Sequence, residues 1–151
     1  MKTVTAGLLV GLLLFMPINS AFSKSENFIP EDEKKCLVDT VYHEGRGVSE
    51  NEQIAIAHVV LNRVRSKKFP DTICKTVYQV TTDKRRKKKV RQFSWTHSNV
   101  IREKQTYEKI RIMIEQKIVP NVNDPTTNAL FFSKGKGSCS TRHGKFCHNF
   151  R

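Results

Sequence analysis

The sequence predicts an α+β domain that is predominantly α-helical. Three segments, Glu31–His43, Glu50–Arg65 and Ile101–Val119, space their apolar residues at helical intervals and end at breaking or capping residues. Only short β-prone stretches lie between and after them, and no internal repeat is present. The chain has 151 residues, enough for one domain with its own core after the N-terminus is set aside.

That N-terminus reads as a signal peptide over residues 1–23. Lys2 supplies a positive charge, Ala6 to Met16 is an unbroken run of apolar residues and glycine, and Pro17 ends it. Ala21-Phe22-Ser23 offers a small-x-small cleavage site. The run is too short to span a bilayer comfortably, so an exported chain without stable membrane insertion is expected. No cysteine closely follows the run, so there is no lipoprotein signal. Residues 24–30 form a polar leader, and residues 31–151 form the domain.

Glu31 to His43 carries acids in its first turn, which suits the helix dipole, and Leu37, Val38 and Val41 form its apolar stripe. Ser49 and Glu52 match a capping box and open the next helix. That helix is apolar nearly all round, which predicts a central, buried position. His58, Asn62 and Arg63 lie within it, and as buried polar groups they need partners or line a cleft. Phe69-Pro70-Asp71 breaks the chain, and Asp71 is expected to cap a short helix through Tyr78. Lys84 to Arg91, with seven bases in eight residues, reads as a charged loop. Gln92-Phe93-Ser94-Trp95 reads as a short strand or ordered loop. The third long helix, Ile101 to Val119, places Ile110, Met113, Ile114 and Ile118 on one side, and Pro120 stops it. Asp124-Pro125-Thr126 is a turn, and Ala129-Leu130-Phe131-Phe132 is a short apolar strand or helical turn. The tail is rich in Gly, Ser, Lys and Cys.

Four cysteines in an exported chain favour disulfides. Of the three connectivities, Cys36–Cys74 with Cys139–Cys147 is expected. The first would tie the first helix to a later one, and the second closes a small glycine-containing loop. Zinc is the alternative, with His143 and His148 nearby, but the paired C-x-x-C spacing of structural zinc is missing. The net charge of +13 is uneven: residues 31–52 hold seven acids and three bases, residues 53–151 six acids and twenty-two bases. Such a cationic face suits an anionic polymer. The charge alone does not choose among nucleic acid, acidic lipid and bacterial wall, although a nuclear-localisation reading of the basic run conflicts with export.

Glu44 is the leading candidate for chemistry. It sits at a helix end before Gly45 and Gly47, where a carboxyl in a partly apolar pocket can protonate a poor leaving oxygen. Tyr42, Val48 and Trp95 are candidates to supply that pocket. The alternative is an ordinary helix-end carboxylate paired with Arg46. Trp95, the only tryptophan, offers a flat face for a sugar ring, and Gln92 and Ser94 offer groups for sugar hydroxyls. Its alternative is a core tryptophan. No nucleophile elbow, phosphate loop or metal spacing is present, so no metal or cofactor is expected.

In series these segments resemble the bacterial cell-wall hydrolases related to the spore-cortex-lytic enzyme SleB. The resemblance rests on Glu44-Gly45-Arg46-Gly47, Glu52 to Val64, Phe69 to Cys74, Gln92 to Trp95, Asp124-Pro125-Thr126 and Ala129 to Phe132, in the family's order. The family usually reads Glu-Ala-Arg-Gly where Gly45 stands here, and two glycines or small residues where Thr127-Asn128 stand. The Lys84–Arg91 run looks like a lineage-specific loop. His148-Asn149-Phe150 is the counterpart of a His-x-Phe element. The resemblance implies a single lysozyme-like or lytic-transglycosylase-like catalytic domain that cuts peptidoglycan glycan strands between N-acetylmuramic acid and N-acetylglucosamine. Glu44 is then catalytic. Tyr42, Arg46, Asn62, Gln92, Phe93, Ser94, Trp95, Thr126, Phe131 and His148 line the substrate, and nucleic acid is not a partner. Lytic transglycosylation needs one carboxylate. A hydrolytic muramidase needs a second, for which Asp71, Asp83 and Asp124 are available. A non-catalytic cationic wall-binding protein is the reading outside enzymes.

Overall fold

The computed structural model describes residues 28–119, 123–134 and 145–148. The signal segment, Cys139 and the expected Cys139–Cys147 bond lie outside them.

Helix α1 spans Glu31–Gly45, α2 Glu50–Arg65 and α3 Ile73–Val77. An antiparallel hairpin follows, β1 Val80–Asp83 with β2 Lys88–Arg91. After a 3-10 turn at Ser94–His97 comes α4, Lys104–Met113, which continues as a π-helical turn over Ile114–Ile118. A second two-stranded sheet pairs β3, Phe131–Lys134, in parallel with β4, Lys145–His148. The α+β class is therefore observed.

Helix α2 is central. It packs on α1, α3, the π turn, β3 and β4. Every residue from Ile54 to Val60 is buried, as its all-round apolar pattern demands. The capping box is complete: Ser49 Oγ accepts from the Glu52 backbone N–H and the Glu52 carboxylate accepts from the Ser49 N–H at 3.2 Å. Helix α1 is fastened to α3 by the expected Cys36–Cys74 disulfide and by Cys74 N–H donating to Glu33 Oε2 at 3.0 Å.

Four local expectations are corrected. Thr72, not Asp71, caps α3, because Thr72 Oγ1 accepts from Lys75 N–H while Asp71 turns outward and pairs with Lys75 Nζ at 3.1 Å. The basic loop is an ordered hairpin. Asp83 Oδ1 takes the N–H groups of Arg85 and Arg86 at 2.9 and 3.2 Å, and Lys87 adopts the left-handed φ of 52° that closes the turn. Ser94–His97 is helical, with Phe93 N-terminal to it and Thr96 Oγ1 donating back to Phe93 O at 2.7 Å. Helix α4 starts at Lys104 rather than Ile101, because the buried Tyr42 hydroxyl accepts from the N–H groups of Arg102 and Glu103 at 3.1 and 3.0 Å. Those donors hold the chain in its approach to the helix.

The Cys36–Cys74 bond closes a loop of sequence separation 38. A Cys36→Ser/Cys74→Ser variant is expected to lose about 2–4 kcal/mol, read as a lower urea midpoint with a steeper slope, because the uncrosslinked unfolded chain exposes more surface.

Candidate active site

Glu44 stands one residue before the end of α1 and is half-buried. What fixes it there is the tight junction between α1 and α2. Gly45 O accepts from Val48 N–H at 3.2 Å and from Gln53 Nε2 at 2.9 Å. A Cβ on Gly45 would approach Ile56 Cδ1 to 2.8 Å, so the residue that departs from the family pattern lets α1 end directly against α2. The neighbouring Arg46 pairs with Glu103 at 3.0 Å and lies over the Tyr42 ring at 5.5 Å.

Trp95 packs against the last turn of this helix. Its ring stacks on His43 with centroids 4.5 Å apart and 14° between planes, and the Tyr78 and Phe93 rings pack near it, each at 6.2 Å. A polar relay sets His43. Asp39, only 1% exposed, accepts from Tyr107 Oη, Asn99 Nδ2 and Lys35 Nζ, each at 2.8 Å. Since the Asn99 amide donates to Asp39, its Oδ1 faces His43 Nε2 at 2.7 Å, and that nitrogen must carry a proton. Burial, and then the bond to Asp39, raises the Tyr107 phenol far above its ordinary pKa.

Arg63, 5% exposed, is close enough for Glu44 to attract its charge. Its Nε donates to Leu130 O at 2.7 Å, and its guanidinium lies 5.2, 5.4 and 5.5 Å from the ring centres of Phe69, Phe93 and Phe131. Burial pushes its pKa down to about 10 against the attraction of Glu44, so it remains a cation at neutral pH. Its Nη1 has no hydrogen-bond partner among the described residues. Sequence reasoning noticed Arg63 only as a buried polar group. Its signal was a base placed directly after Asn62 on an otherwise apolar helix.

The remaining sequence candidates separate into two groups. Tyr42 and Phe93 are buried, at 1% and 3% exposure. Ser94 and Phe131 are exposed, and Gln92 and Trp95 are partly so. Asn62 and Thr126 belong to a bracket around Asp124. Asn62 Nδ2 donates to Asp124 Oδ2 at 2.8 Å and approaches Thr126 Oγ1 and Ala129 O, each at 3.2 Å. Asp124 also accepts from the N–H groups of Thr126 and Asn128 and from the Thr126 hydroxyl. Thr127 and Asn128 stand at φ 54° and 62°, the left-handed region that favours glycine, which is what the family usually places there. His148 ends β4 opposite Lys134.

A family model described as Cell Wall Hydrolase matches residues 47–147. The chain belongs to the cell wall hydrolase family. Membership assigns peptidoglycan degradation as the activity and the cell wall or extracellular space as its place of action. The match begins three residues beyond Glu44, at Gly47, and covers α2, the Trp95 turn, the Asp124 bracket, the hairpin, β3 and β4 as far as Cys147. No curated protein and no solved structure matches the chain. No helix among the described residues is long and apolar enough to cross a membrane.

The bracket makes the cell wall hydrolase acid-sensitive. Burial works against the Asp124 carboxylate, but the bonds from Thr126 and Asn62 outweigh it and hold its pKa at about 2, against an ordinary 3.8. Its stabilisation is therefore complete above pH 3.8 and is lost as pH falls toward 2. His58, 3.8 Å from Asp124, is lowered by burial, so its charging in the unfolded chain weakens the fold as pH drops below 6.5. Urea midpoints measured against pH are expected to fall in both windows. Asp124→Asn should be less stable at neutral pH and should lack the lower step.

Proposed function

We propose that Glu44 is the single acid/base of a lytic transglycosylase acting on peptidoglycan glycan strands, on a lysozyme-like helical domain. The observation that carries this reading is the placement of the carboxylates. Glu44 lies in the last turn of α1, next in sequence to the His43 that stacks on Trp95, and within the attraction of the Arg63 cation. The three aspartates available for a second catalytic role are engaged elsewhere. Asp71 is exposed and paired with Lys75, Asp83 caps the hairpin turn, and Asp124 accepts the bracket's donors.

In this reading the strand lies with one sugar ring against the Trp95 side. Glu44 gives its proton to the oxygen linking C1 of N-acetylmuramic acid to N-acetylglucosamine, and that bond breaks. The carboxylate so formed faces the Arg63 cation, whose position is set before the reaction and needs no reorganisation. Glu44 then takes the proton from the muramic C6 hydroxyl as that oxygen bonds to C1, closing a 1,6-anhydro ring. The proton balance closes on one residue. Gln92 and Ser94 supply hydrogen bonds to sugar hydroxyls, with Arg46, Phe131 and His148 further along the strand. Tyr42, Phe93, Asn62 and Thr126 act as supports rather than contacts. Residues 1–23 direct export and residues 31–151 form the catalytic domain.

Mass spectrometry of soluble fragments from purified peptidoglycan tests this. The wild type should release anhydro-muramic products, and Glu44→Gln should release them about 10³-fold more slowly at an unchanged melting temperature. Reducing-end muramic products from the wild type would instead indicate a muramidase with a second carboxylate. Wall binding without products from either protein would indicate a binding protein.

A further inference from the structure

The β1–β2 hairpin takes no part in the chemistry above, yet it is ordered and strongly charged. Residues 80–91 hold seven bases and one acid. The pairs Val80↔Arg91 and Thr82↔Lys89 put four side chains on one face of the ribbon, with Thr81↔Val90 and Asp83↔Lys88 on the other. The first face lines a cavity of about 580 Å³, bounded among the described residues by Val80, Thr82, Lys89 and Arg91. It offers two cations, a hydroxyl and an apolar side chain, and, among the described residues, no acid. The hairpin's one acid, Asp83, is on the opposite face and holds the turn. Unmatched cations on one ribbon repel each other, so an anion seated between them lowers the energy of the face.

The ribbon grows from the candidate site. Gln92 N–H donates to Gln79 O at 3.0 Å at its root, and the flanking Tyr78 and Trp95 rings pack edge to face at 6.2 Å. A polymer lying against Trp95 therefore lies beside the root of this ribbon. We infer that the face of Val80, Thr82, Lys89 and Arg91 docks the carboxylate-bearing peptide stems of the glycan strand. This rests on the reading that the cleft holds that strand. Lys89 and Arg91, two residues apart on β2, stand about 7 Å from each other and can engage carboxylates along an extended stem. Thr82 donates to a peptide carbonyl, and Val80 covers small apolar side chains. The shared root with Trp95 favours a polymer already engaged at the cleft over a lipid surface or a phosphate polymer.

Isothermal titration tests the inference with two soluble glycan preparations, one carrying peptide stems and one stripped by an amidase. The full chain and its Lys89→Gln/Arg91→Gln variant are compared at low and high salt. On stem-bearing strands the variant should bind about tenfold more weakly, with a shallower salt dependence. On stripped strands the two proteins should bind equally. Equal binding to stem-bearing strands, or the same loss on stripped strands, overturns the inference. So does a loss seen only with anionic vesicles or teichoic acid. Fragment release is scored separately. Stem-dependent binding without anhydro products would uphold the docking face and sink the cleavage reading, whereas anhydro products with stem-independent binding would do the reverse.

Discussion

A guanidinium held inside a ring of aromatic side chains is the constraint from which the site is built. Burying a charge is costly unless partners compensate it. Arg63 meets that cost with the Leu130 carbonyl, three phenylalanine faces and the attraction of Glu44. The three rings come from separate stretches of chain: Phe69 after α2, Phe93 before the Trp95 turn, and Phe131 in β3. Satisfying one cation therefore draws together the segments that carry the candidate site. The segments that resemble the family in sequence are the same ones that converge here.

A second buried charge organises the Trp95 end of the site. Asp39 holds Tyr107, Asn99 and Lys35, and through Asn99 it orients His43 against Trp95. The Tyr42 hydroxyl secures the chain that leads into α4. Glu44 thus ends a helix whose preceding turn is tied on both sides, which is the rigidity a group needs to hold a proton within reach of one bond. The Gly45–Ile56 contact completes this by bringing α1 against α2 without a gap.

The helices were legible because their signals are local. The Ser49–Glu52 box and the all-round apolar pattern of α2 act within a few residues, and both appear as read. What escaped depends on distant partners. The start of α4 is set by Tyr42, about sixty residues earlier, and nothing in Ile101–Glu103 itself announces it. The hairpin was masked by its lysines and arginines, which hide a β-prone Val80-Thr81-Thr82 and a turn set by Asp83. At the site, Glu44 and Trp95 stood out by residue type and neighbours. Arg63 did not, because its importance comes from rings scattered over the sequence. Asn62 stood out as a polar residue on a buried helix, but its amide turns to Asp124.

The central claim is that one carboxylate both gives and recovers the proton, so the muramic C6 oxygen and not water closes on C1. Digestion of purified peptidoglycan in water enriched in heavy oxygen tests this directly. The account predicts that the new muramic termini carry no heavy oxygen, since the attacking oxygen is already in the sugar. Incorporation of solvent oxygen at C1 during cleavage would contradict it and would require a second group to activate water.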